Sequence, residues 1–104
     1  MTLGAVTLSD ERLAEFCERW RINRLEIFGS ARRPDFRPES DVDFLVTFED
    51  DVTWTLLDMV DMQDQLEGIT GRKVDLVSRK AIEQDRNWIR REDVLGSAVT
   101  VYVA

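Results

Sequence analysis

With 104 residues, 43% of them hydrophobic, the chain is the size of a single domain, spanning 1–104, with a credible core. One cysteine, no histidine and a net charge of −7 exclude an internal disulfide, histidine-based triads and His-ligated zinc, and argue against direct binding of duplex nucleic acid. No signal peptide opens the sequence and no apolar run nears membrane-spanning length, so a cytoplasmic protein without membrane contact is expected.

In chain order, Ser9 is placed to cap a first helix, with Asp10 and Glu11 in the opening turn where the helix dipole favours anions. Leu13, Phe16, Cys17 and Trp20 follow at i, i+3, i+4 and i+7, a helical stripe on which Cys17 reads as buried rather than reactive. Arg24–Phe28 reads as a short strand, ended by Gly29-Ser30. A short helix then follows that Pro34 must end, since the residue before a proline avoids the helical region. Asp41–Phe48 is the next strand. A helix from about Thr53 to Glu67 is expected to bury Leu56, Leu57, Met59, Val60 and Leu66, with Gly68 and Gly71 punctuating its end. Strand Lys73–Ser78 precedes a helical stretch between roughly Ala81 and Leu95, with a break near Trp88, and Val99–Val103 forms a last strand. The alternation predicts an α+β fold, a two-layer sandwich with a mixed β-sheet and helices on one face.

The chemistry concentrates between Phe28 and Val46, FGSARRPDFRPESDVDFLV. Successive side chains of a strand alternate between faces, so Asp41 and Asp43 share one face with Leu45 and Thr47, while Val42, Phe44, Val46 and Phe48 form an apolar face opposite. Two carboxylates held side by side repel, and a hard cation such as Mg²⁺ or Mn²⁺ relieves the repulsion. A strand that ends in Gly29-Ser30 and turns into a helix leaves backbone N–H groups free to meet a phosphate. Glycine admits the close approach and the Ser30 hydroxyl adds a donor, although Ser30 alone reads equally as a helix cap. Asp75 points away from Val74 and Leu76, either as a third carboxylate of the same site or as an exposed edge-strand residue. Together these residues describe a site for a metal–nucleoside triphosphate.

At Gly29, Ser30, Ser40, Asp41 and Asp43 the chain resembles the polymerase-β-like nucleotidyltransferases, and within them the minimal nucleotidyltransferases that are commonly paired with a HEPN-domain toxin; the resemblance runs over roughly residues 10 to 100. It implies a palm-like fold, ATP as nucleotide donor and Mg²⁺ (or Mn²⁺) held by Asp41 and Asp43. Asp75 would either ligate a second metal or accept the proton of the acceptor hydroxyl. Gly29, Ser30 and Ser40 would lie on the nucleotide. Arg33 stands where the family run Gly-Ser-x-Ala-Arg-Gly carries its arginine and reads equally as a solvated surface residue. Arg32 and Pro34 depart from that run, at its alanine and its second glycine, which alters the loop from Arg32 to Glu39.

The resemblance further implies an antitoxin that transfers AMP to a tyrosine of a partner HEPN ribonuclease. A chain this short leaves no room for an acceptor domain of its own, which favours a protein acceptor. An antitoxin acting by occlusion, or a nucleotidyltransferase for an aminoglycoside-like small molecule, are the alternatives. From Asp41 to Glu67 there are nine acidic residues and no Lys or Arg. Within that segment Asp58, Asp61, Asp64 and Glu67 recur three apart, as a docking face or a solvated one.

Overall fold

The computed structural model describes residues 2–3, 6–29 and 41–104. A short antiparallel hairpin, β1 (Thr2–Leu3) with β2 (Val6–Thr7), opens it and was not foreseen from the sequence. Helix α1 (Asp10–Arg19) starts where Ser9 accepts the Arg12 N–H at 3.3 Å, and it buries Leu13, Phe16 and Cys17 with Trp20 just beyond. Arg21, at φ 54°, turns the chain into the next strand, two residues earlier than the sequence pattern suggests. Strands β3 (Ile22–Phe28) and β4 (Val42–Phe48), helix α2 (Leu56–Thr70), strand β5 (Val74–Ser78), helices α3 (Arg79–Glu83) and α4 (Trp88–Ser97) and strand β6 (Val99–Val103) complete it.

The four long strands form one sheet in the order β5-β4-β3-β6, with β4 and β5 parallel and the other pairs antiparallel. One face is the core. Leu25, Ile27, Val42, Phe44 and Val46, each at most 1% exposed, meet α1 through Leu13, Phe16 and Cys17 and α2 through Met62 and Leu66. Trp20 closes this layer. Its indole donates to Gln65 Oε1 at 2.9 Å, and Trp54 packs edge-on against it while donating to its carbonyl at 3.0 Å. The mixed α+β sheet with α1 and α2 on one face is the expected architecture. The opposite face carries a second, smaller cluster, in which Leu45 is buried under Ile82 of α3 and Val94 of α4.

Helix α2 departs from expectation in phase. It begins at Leu56 rather than near Thr53, because Thr55 caps it: Thr55 Oγ1 accepts the Asp58 N–H at 3.2 Å and Asp58 Oδ2 accepts the Thr55 N–H at 2.8 Å, a reciprocal capping box. With the start so fixed, Met62 and Leu66 face the sheet and Met59 and Ile69 flank them. Leu56, Leu57 and Val60, expected in the core, stand in solvent. Gly68 lies inside the helix, and Gly71, at φ 71°, ends it. The break foreseen near Trp88 is real: Asn87 caps α4 by accepting the Arg90 N–H at 3.2 Å. The helix expected after Gly29-Ser30, with Arg32 and Pro34, lies outside the described residues. Among the described residues no helix is long and apolar enough to cross a membrane.

Candidate active site

β4 and β5 bring the acidic residues together. In their parallel register Asp43 is opposite Asp75, and on the other side of β4 Phe28 is opposite Asp43, so the end of β3, Asp43 and Asp75 stand in one row across the sheet. Asp41 and Asp75 are exposed and Asp43 is partly buried. Burial, and then the neighbouring charges of Asp75 and Asp41, push the Asp43 carboxyl above its ordinary pKa. Burial is the larger cause, and the lesser contributions of Asp75 and Asp41 mean that both lie near enough to Asp43 to act on it.

Gly29 follows β3 directly. Its φ of +78° lies in the left-handed region, and a Cβ at this position would stand 3.0 Å from Asp43 Oδ2. The turn and the carboxylate strand are thus in contact. The Gly29 N–H, expected to be free for a phosphate, instead donates to Ser97 Oγ at 3.3 Å, and that hydroxyl donates to the Val94 carbonyl at 3.1 Å. Helix α4 reaches the turn because it packs back over β3. No local pattern in the sequence marks Ser97 for this contact.

The donor chemistry fits a divalent cation: three hard carboxylate oxygens, mutually repelling, beside a glycine that leaves the space next to Asp43 open. Among the described residues no group of three or more His, Cys, Asp or Glu is drawn into a ready-made ligand set. Ser30, Arg33 and Ser40, the other nucleotide-side candidates, lie outside the described residues. Cys17 takes no part, since burial pushes its thiol up to about 12.

Sequence reasoning also missed a buried ion pair on this face. Glu26, 4% exposed and level with Leu45 in the next strand, accepts from Arg79 Nη1 at 2.6 Å, which ties the start of α3 to the middle of the sheet. Arg79 in turn fronts a cavity of about 620 Å³ at the far end of β4, lined also by Arg24, Thr47, Glu49 and Lys80. None of the three aspartates lines it, so it is chemistry rather than volume that marks the candidate site.

The model of the family described as Nucleotidyltransferase domain matches residues 10–100. A protein adenylyltransferase named MntA from Thermococcus cleftensis is 35% identical over 69 residues, 66% of this chain and 68% of that protein. Among solved structures, a candidate minimal nucleotidyltransferase is 37% identical, with a TM-score of 0.65 and 86% of each chain covered. A toxin–antitoxin complex with AMP-PNP superimposes with a TM-score of 0.68 over 93% of this chain and 75% of that one; at 15% identity this is a likeness of fold. The row of carboxylates thus sits on a sheet shared with these proteins, and the chain belongs to the nucleotidyltransferase domain family.

Proposed function

We propose that the chain is a metal-dependent protein adenylyltransferase and an antitoxin, which transfers AMP from ATP to a tyrosine hydroxyl of a partner HEPN-type ribonuclease. The observation that carries this reading is the register of Asp43 with Asp75 beside Gly29. The name of the Thermococcus cleftensis relative supports a protein acceptor, and the toxin–antitoxin neighbour supports a paired partner.

Asp41 and Asp43 would hold Mg²⁺ or Mn²⁺, which neutralises the triphosphate and polarises its α-phosphoryl group when bound. Gly29 gives the β- and γ-phosphates room to approach the backbone, with Ser30, Ser40 and Arg33 on the nucleotide side. Asp75, across from Asp43 in the sheet, would serve the acceptor. As the tyrosine oxygen bonds to the α-phosphorus, the bond to the β-phosphate oxygen breaks and pyrophosphate leaves. Asp75 takes the hydroxyl proton, or alternatively serves as a ligand of a second metal.

The test is mass spectrometry of the partner co-expressed with this chain, expected to find added AMP that is absent with Asp41→Asn/Asp43→Asn. If that folded variant still neutralises the toxin fully, occlusion rather than transfer is the mechanism.

A further inference from the structure

The first turns of α2 expose Leu56, Leu57 and Val60 by 86, 78 and 53%. On a helix, Leu57, Val60, Asp61 and Asp64 fall along one strip, with Leu56 beside it. These leucines are not at a fraying end. The capping box of Thr55 and Asp58 fixes the start of the helix, and Trp54, just before it, is held by its ring contact and hydrogen bond to Trp20. Three large aliphatic side chains held side by side and mostly in water add little to this fold, and contiguous apolar patches of this kind mark contact surfaces.

The surrounding charge says what covers them. Asp58 is occupied in the cap, and Glu67 accepts the Val74 N–H at 3.0 Å, so neither belongs to an acidic face. Asp61 and Asp64 remain exposed along the strip, within a stretch from 41 to 67 that has no Lys or Arg. A second copy docking here by two-fold symmetry brings these aspartates against their own counterparts. A basic partner meets both features at once. Helix α2 packs on the core face of the sheet, the face away from Asp43 and Asp75, so a partner seated on it leaves the carboxylates open.

We propose that the N-terminal half of α2 is a docking surface for a partner protein that presents an apolar helix face flanked by Lys and Arg. Equating this partner with the acceptor of AMP rests on the function proposed above; the surface itself does not.

Two synthetic helical peptides of roughly 18 residues test it, with the same leucine stripe flanked in one by lysines and in the other by glutamates. Fluorescence anisotropy should show the lysine-flanked peptide binding the full chain at least about tenfold more tightly. Leu57→Asp/Val60→Asp should weaken it by about tenfold even though it adds negative charge, which only a lost apolar contact explains. Leu57→Ser/Val60→Ser serves if the first variant is misfolded by circular dichroism. Asp61→Lys/Asp64→Lys should shift preference toward the glutamate-flanked peptide. Unchanged affinity in the folded patch variants overturns the proposal. So does sedimentation showing a wild-type dimer that these variants dissolve, because the occupant is then a second copy. With purified HEPN partner as the varied substrate, the patch variants should raise KM and leave kcat unchanged. Absence of AMP transfer by the wild type sinks the proposed function and leaves the peptide result to decide the surface.

Discussion

A Cβ on residue 29 would stand 3.0 Å from Oδ2 of Asp43, so any larger residue in this left-handed turn presses on the carboxylate. Gly29→Ala is expected to cost about 1–2 kcal/mol through the left-handed backbone, and to displace the Asp43 carboxylate by a few tenths of an ångström. Urea unfolding reads the first effect. Nucleotide transfer, falling further than stability accounts for, reads the second.

The Asp43 carboxyl sets a pH dependence of known sign. Its folded pKa is raised above the unfolded value by burial and by Asp75 and Asp41. The folded state therefore binds the proton more tightly, and stability falls as pH rises from the ordinary aspartate range through the raised value. In chelator, Asp43→Asn should flatten this fall and leave the protein no less stable at neutral pH. A steeper loss with pH in the variant would contradict the assignment.

The same repulsion predicts a dependence on divalent cations. A nucleoside triphosphate should bind weakly in chelator and clearly better with Mg²⁺ or Mn²⁺, because three carboxylates face a polyanion. Calorimetry giving equal affinities in the two conditions would remove the metal from this site.

Glu26 and Arg79 give a test of stability on the same face of the sheet as Asp43. Arg79→Met leaves a carboxylate that is 4% exposed without its partner, and should destabilise the fold by about 2–3 kcal/mol. Glu26→Leu/Arg79→Met should recover most of that loss, since two apolar side chains carry no charge to desolvate. Denaturant midpoints of the single and double variants measure both.

The features legible in the sequence are those written in short spacings. The Ser9 cap, the Leu13–Trp20 stripe and the apolar face behind Asp41 and Asp43 each lie within a few residues and agree with the structure, whereas the Gly29 N–H, expected to be free, is taken by Ser97. Asp75 was legible as a charge misplaced in an apolar strand, and its place on a strand beside Asp41 and Asp43 followed from the family resemblance, as the structure has it. The residue-by-residue register was not legible, because a parallel register is set by a crossover and not by local pattern. Helix α2 was misphased because Leu56, Leu57 and Val60 are as apolar as any core residue, and hydrophobicity cannot tell a core from a contact surface. Ser97 and the Glu26–Arg79 pair arise from contacts between distant segments, which leave no mark on either segment alone.

The parallel pairing of β4 with β5 also sets a time order. The hairpin of β3 and β4 needs only neighbouring sequence, but Asp75 reaches Asp43 only after α2 has crossed the sheet and closed a long loop. During synthesis, a nascent chain that has not yet emerged past Val74 displays Asp41 and Asp43 without their third neighbour. The carboxylate row is therefore complete only once the segment as far as Val74–Ser78 has been made and docked beside β4.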